Sequence, residues 1–361
     1  MIKVVHIVTR INVGGLSTFL CNYYKNMDTS KIKFDVVAIQ TNEKQSYHDL
    51  LVGLGCRVFY MPNNLFFRLL FLIKLFLRNK YDVAHSHIQV QSVFYLLISK
   101  FCGIKARIAH SHWSKENPGV FNGILKFLLN KIVSLRAGAS ELALQAVFGL
   151  RYSKKGVVIP NAIDLDEFAY SEITRQKYRA DMVLENRLVV GYVGRLSYQK
   201  NIPFLLNVFS KLLHSCPEAM LMIIGDGEES DQMNKQIAEL KLANNILWLK
   251  EREDVNQLLS VMDVLLLPSH FEGLPLVLVE SQASSLHAIV SDYVTKLIDI
   301  TPYIHYLPIS KSSEELWVKL ILELGNNYRR ASTMDLLTQS HFNIKLEAEN
   351  LYLLYKKLVT K

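Results

Sequence analysis

Cysteine is scarce and unpaired in its spacing: Cys21, Cys56, Cys102 and Cys216 form no C-x-x-C motif in 361 residues. They read as reduced, mostly buried thiols of a cytosolic protein rather than a disulfide framework. Long apolar runs are also missing. The most apolar stretch, Leu65 to Leu77, is cut by Arg68 and Lys74, well short of the roughly 20 residues that cross a bilayer as a helix. No secretory signal is expected, because Met1-Ile2-Lys3 leads straight into a strand pattern and Arg10 follows before an apolar core could form. Acidic residues are sparse in one half only. Residues 1–160 hold 21 Lys and Arg against 7 Asp and Glu, a balance of +14, whereas residues 161–361 hold 20 against 26, a balance of −6. A basic first half suggests an anionic partner: membrane phospholipid, a lipid diphosphate or nucleic acid. Nucleic acid ranks last, since no aromatic platform is interleaved with the basic residues and no nucleic-acid module is recognisable.

What is present is alternation. Strand-like runs at Lys3–Thr9, Phe34–Gln40, Val58–Met61, Val83–His85 and Arg107–Ala109 are separated by helical patterns, and such alternation predicts a parallel sheet covered on both faces. The first domain is placed at 1–162, closing on the strand and proline turn of Val157-Val158-Ile159-Pro160-Asn161. A polar segment of mixed charge, 163–187, reads as the linker. A second alternating series fills 188–343, and an amphipathic helix with Leu346, Leu351, Leu354 and Leu358 ends the chain at 344–361. In sheets of this kind ligands bind at the carboxyl ends of the strands. Gly14 and Gly15 lie there after the first strand, where absent side chains let backbone approach a phosphate. His85, His87, His110 and His112 lie at two further strand ends. The topology alone does not converge these H-x-H pairs and no carboxylate stands with them, so histidines that hydrogen-bond substrate, or merely close off a strand end, are preferred to metal ligands. Phe66–Lys80 gathers Arg68, Lys74 and Arg78 on one third of a helical wheel otherwise filled by Phe, Leu and Ile, and Phe121–Arg136 is similar. Each reads either as an ordinary core helix with a basic edge or as a membrane-surface helix.

The most informative stretch is Asp263 to Asp292, read as a strand (Val264–Leu267), a turn (Pro268–Gly273), a helix with Pro275 in its first position, and a strand at Ala288–Val290. The amides of Gly273, Leu274, Pro275, Leu276 and Val277 would mark a helix start that attracts a phosphate. Glu272 and Glu280 would repel that phosphate if they faced it, so they suit hydroxyls, to which a carboxylate makes strong charge-assisted bonds. A ligand with phosphates in its middle and a polyhydroxylated ring at each end is a nucleotide sugar. The plainer reading leaves Glu272 in a turn and Glu280 on a solvated helix face. Arg195 and Lys200, after the first strand of the second domain with Gly194 allowing close approach, supply the cations that a diphosphate leaving group needs.

On these residues the chain resembles the retaining GT-B glycosyltransferases of family 4, and looks most like the EpsF-type enzymes of exopolysaccharide and capsule synthesis. The matching segments are Gly14-Gly15, RIAHSH at 107–112, VVIPNAID at 157–164, GYVGRLSYQKN at 191–201, IIGDGEE at 223–229 and, most specifically, the E-x7-E of Glu272 and Glu280. The resemblance implies two facing doubly wound, Rossmann-like domains of α/β class, with a C-terminal helix crossing back to the first. It implies that Glu272 holds the donor sugar and Glu280 the ribose, and that Arg195 and Lys200 neutralise the diphosphate. Main chain around Glu251 and Arg252 would frame the base, and His110 would lie close to the sugar. No metal or other cofactor is expected. The partners implied are a nucleotide-sugar donor, probed first as a UDP-sugar, and a lipid-diphosphate-linked saccharide acceptor at the inner face of the cell membrane, with no nucleic acid. Ser284-Ser285-Leu286-His287 stands where the family commonly has Ala-Gly-Leu-Pro, and a glycine near Glu251 is absent. A catalytically silent subunit that supports a partner transferase is the alternative.

Overall fold

The structure is a computed structural model that describes residues 1–12, 14–39, 45–113, 119–326 and 330–360. It divides into two units, residues 1–163 with 341–361, and residues 164–340. The first holds β1 (Ile2–Val8), β2 (Ile32–Ala38), β3 (Arg57–Tyr60), β4 (Val83–Ser86), β5 (Ala106–Ser111), β6 (Leu135–Gly138) and β7 (Val157–Val158). They pair in parallel in the order β3-β2-β1-β4-β5-β6-β7. The second holds β8 (Val189–Val193), β9 (Met220–Ile224), β10 (Ile246–Trp248), β11 (Val264–Leu267), β12 (His287–Ser291) and β13 (Ile304–Leu307). These too are parallel, in the order β10-β9-β8-β11-β12-β13. Helices cover both faces of each sheet, which is why β8 (VVGYV) and β11 (VLLL) are near-continuously apolar rather than alternating. In each sheet the winding reverses beside the first strand, between β1 and β4 and between β8 and β11. Loops diverge at such a switch point and leave a crevice at the carboxyl ends.

Several elements differ from the sequence reading, β13 among them, since no strand was anticipated there. The segment expected as a linker contains the helix Glu172–Asp181, which belongs to the second unit. Ser171 caps it by accepting from Thr174 N at 3.2 Å. Its anchors are polar: Arg175 and Arg179 both reach the carboxylate of Asp263, which also accepts from Val189 N of β8 at 2.7 Å. A helix tied down by buried ion pairs shows no apolar period. β6 was hidden because Arg136 interrupts it. The guanidinium is satisfied by Asn130, with 2.7 Å bonds to its side chain and its carbonyl. The C-terminal helix, Ile344–Val359, packs in the first unit as expected, but through Ile344, Ala348, Leu351 and Tyr355. Leu346 faces outward.

Candidate functional site

At the switch point of the second sheet, the loop after β8 and the loop after β11 are stitched together. His270 N donates to Gln199 O at 2.8 Å, Gln199 Nε2 to Phe271 O at 2.9 Å, and Asn201 Nδ2 to Pro268 O at 3.2 Å. Tyr198 stacks on His270. This frame sets Lys200 Nζ 2.6 Å from Glu272 Oε1, with Ser269 Oγ donating to the same oxygen at 2.8 Å and Gln199 Nε2 to Oε2 at 3.0 Å. The two side chains are only 14% and 8% exposed, so the pair is sheltered from salt, where a charge pair retains more of its attraction. The expected proximity of Lys200 to the Glu272 loop is present, and the two groups engage each other.

The helix after that loop spans Leu276–Ala283. Pro275 is its N-cap, with φ −72° and ψ 111°, rather than its first residue. Having no N–H, Pro275 cannot be one of the anion donors; Gly273, Leu274, Leu276 and Val277 carry amides there. The first-turn amides of a helix have no acceptor within it. Glu280 lies one turn further along, half-buried, and the loss of hydration pushes its carboxyl up to about 7.

Arg195 is elsewhere. Its Nε donates to Glu228 Oε2 at 2.9 Å and its side chain is 69% exposed. Beneath it the main chain crosses closely: a Cβ on Gly225 would lie 2.0 Å from Gly194 O. Gly225, at φ +130°, therefore admits no side chain. Lys250 takes a left-handed φ of 58° and lays its ammonium 3.2 Å over the Trp248 ring. Arg252 is held by Asp254 through bonds of 2.8 and 2.7 Å, and Glu251 is exposed. The two departures from the family pattern share one backbone feature. Ser285 has φ 50° and Lys250 φ 58°, the region glycine enters without cost. Ser285 Oγ donates to Ala331 O at 2.6 Å, and His287 shares a 3.0 Å ring-nitrogen contact with His305.

In the first unit Gly14 and Gly15 open the helix Gly15–Lys25. A Cβ on Gly15 would press on Asn161 Nδ2 at 3.2 Å. The histidines converge after all, contrary to the sequence expectation. β1, β4 and β5 are neighbours, and His6 of β1, a residue the motifs did not single out, joins His85, His87, His110 and His112 in one stack of rings. The signal available was parity: strand order places positions 6, 85, 87, 110 and 112 on one face. His6 Nδ1 lies 3.0 Å from His87 Nε2, His87 Nδ1 2.9 Å from His112 Nε2, and His85 Nδ1 2.7 Å from the Tyr355 hydroxyl. Burial lowers His6 to about 3 and His112 to about 4. Burial and then the neighbouring rings hold His85, His87 and His110 well below the usual imidazole range. Among the described residues, His6 Nε2, His85 Nε2, both nitrogens of His110 and His112 Nδ1 are buried without a well-formed hydrogen bond, the Ile159 backbone lying against the His110 ring. An unsatisfied buried group costs about 1–3 kcal/mol.

The opposite face of the first sheet carries the helices Leu65–Asn79, Ser92–Phe101 and Val120–Ile132 side by side. Of the first, only Leu72, Leu75 and Phe76 are buried. Leu65, Phe66, Phe67, Leu70, Phe101, Val120, Phe121 and Phe127 are exposed, near Lys74, Arg78, Lys100 and Lys131. Among the described residues no helix is long and apolar enough to cross a membrane.

Residues 174–331 match the family described as Glycosyl transferases group 1. EpsF of Bacillus subtilis (strain 168), described as a glycosyltransferase, is 30% identical over 312 residues, covering 82% of this chain and 81% of that protein. The UDP-Gal:alpha-D-GlcNAc-diphosphoundecaprenol alpha-1,3-galactosyltransferase of Escherichia coli is 23% identical over 81% of this chain and 79% of its own length. Among solved structures, Anabaena HepE in complex with UDP superimposes with a TM-score of 0.74 at 18% identity, covering 99% of this chain and 97% of that one. A likeness at that identity concerns the fold, here GT-B.

Proposed function

Because the chain belongs to the group 1 glycosyl transferases and is a glycosyltransferase, we propose that it moves a hexose or N-acetylhexosamine from a UDP-sugar to a lipid-diphosphate-linked saccharide in exopolysaccharide or capsule biosynthesis. The observation that carries this reading is the Lys200–Glu272 pair beside the free amides at the start of the helix Leu276–Ala283. A donor entering this crevice brings phosphate oxygens for Lys200 and the Gly273, Leu274, Leu276 and Val277 amides. Glu272, relieved of Lys200, accepts hydroxyls of the sugar, and Glu280 accepts those of the ribose. Arg195 leaves its exposed contact with Glu228 to join the diphosphate. The peptide around Glu251 and Arg252 borders the base, and His110 hydrogen-bonds the sugar. Supports for the substrate classes are the UDP-galactose and diphosphoundecaprenol in the name of the Escherichia coli relative.

Transfer proceeds with retention. The bond between the anomeric carbon and the diphosphate oxygen breaks as the acceptor hydroxyl enters on the same face, and its proton passes to the leaving oxygen. Fixed cations and amides aimed at the charge that builds on that oxygen lower the barrier, so no divalent ion is required at the diphosphate. The protein works from the cytoplasm as a peripheral protein, with the apolar and basic outer face of its first unit on the anionic inner leaflet. The test is a panel of UDP-, GDP- and ADP-sugars offered to purified protein with and without a membrane extract. UDP release from one donor, accelerated by the extract, is the expected result. No turnover and no nucleotide binding by calorimetry would replace this reading with a silent subunit.

A further inference from the structure

We propose that His87, His110 and His112, at the switch point of the first sheet, form a site for a single divalent transition-metal ion of the zinc type. One ring nitrogen from each lies within 4.8 Å of the other two. Zinc–nitrogen bonds of about 2.0–2.1 Å in a tetrahedron require donors roughly 3.3 Å apart, so modest ring rotations close the set. The donors are fixed by the sheet: His110 lies within β5, and His87 and His112 directly follow β4 and β5. Three of these nitrogens belong to this group, both of His110 and Nδ1 of His112, and buried ring nitrogens without a well-formed hydrogen bond are the chemistry an ion would complete.

Support also comes from the rings behind the site. Metal-bound histidines are oriented by a partner on their other nitrogen. The second nitrogen of His87 is held by His6, in turn beside His85, which the Tyr355 hydroxyl anchors. Phe19 closes the cluster edge-on against His110 and His112. An all-imidazole donor set with no carboxylate suits Zn²⁺, Co²⁺, Ni²⁺ or Cu²⁺ rather than Mg²⁺ or Ca²⁺. His112, half-buried next to the exposed Trp113, gives the ion a way in. Three protein ligands leave one position open. This ion is separate from the sugar diphosphate, which Lys200 and the helix amides neutralise; His110 is common to both readings, binding the ion through one ring nitrogen and leaving the other for the sugar, and a cobalt titration without donor reads the ion alone.

The experiment titrates tag-free, chelator-stripped full chain with Co²⁺ alone, reading the visible bands of tetrahedral cobalt, and then displaces it with Zn²⁺. One ion per chain is expected, displaced stoichiometrically. His112→Gln, at the half-exposed end where the fold is least affected, should weaken binding by roughly 100-fold or more, as should His87→Gln. His214→Gln, on an exposed helix end, should leave it unchanged. Absence of tetrahedral bands in the parent chain, or binding by a folded His112→Gln as tight as the parent's, would overturn the proposal and leave the rings to ordered water.

Discussion

At the residue scale, the proposed chemistry rests on two carboxylates whose settings differ. Glu272 is engaged by Lys200, Ser269 and Gln199, whereas the loss of hydration pushes the Glu280 carboxyl up to about 7. In the proposed role, only the ionised form of Glu280 would accept two ribose hydroxyls at once. The apparent KM for the donor should therefore be low above pH 7 and rise by up to about tenfold per pH unit below it. A donor-saturation series from pH 6 to 8.5 measures this, and Glu280→Gln should flatten the profile. A profile unchanged in that variant would detach Glu280 from the ribose. Arg195→Ala should reduce kcat by a factor of roughly 100 to 1,000, despite the exposed position of Arg195. Much of this set was legible. The E-x7-E spacing, the cations after β8 and the proline before an apolar run are local signals. The Lys200–Glu272 bond was not, since it depends on β8 and β11 being neighbours across 72 residues.

At the element scale, the boundaries that escaped the sequence were those held by polar contacts. The helix Glu172–Asp181 has no apolar stripe because Asp263 anchors it through two arginines and also takes an amide of β8. Asp263→Ala would leave two guanidinium groups buried without their partner, at a cost of about 3–5 kcal/mol. Calorimetry of the variant should show a fall in Tm of roughly 10 °C; a fall of a degree or two would mean the helix is held by other contacts. Ser285 poses a smaller question of the same kind. Its left-handed φ costs about 1–2 kcal/mol, and its bond to Ala331 O returns about 1 kcal/mol. In urea unfolding, Ser285→Gly should be close to neutral while Ser285→Ala, which keeps the strain and loses the bond, destabilises by about 1 kcal/mol. Equal effects would remove strain from the explanation. The histidine stack was missed for a related reason: each H-x-H pair is visible in the sequence, but their meeting, and the entry of His6, follows only from the strand order β1-β4-β5.

At the scale of the whole molecule, the charge asymmetry visible in the sequence acquires a surface. Three adjacent helices expose aromatic residues beside lysine and arginine while burying their other face in the core, so both an ordinary sheet-covering role and membrane contact are open to test. Sedimentation with vesicles containing anionic lipid should pull down the parent chain. Phe66→Ser with Phe67→Ser should weaken that binding at least about tenfold, since each exposed aromatic loses its apolar contact, and salt should weaken it further. Equal partition onto neutral vesicles would point away from a charged leaflet. In the proposed function, the crevice between β8 and β11 is where a sugar leaves its nucleotide. The most direct measurement is UDP release from the preferred donor by the parent chain and by Glu272→Ala, in parallel and with excess EDTA. The parent should turn over in EDTA, and the variant, with its fold intact, should lose at least about 100-fold. A variant as active as the parent, or a parent silent until Mg²⁺ is restored, would contradict the proposed function.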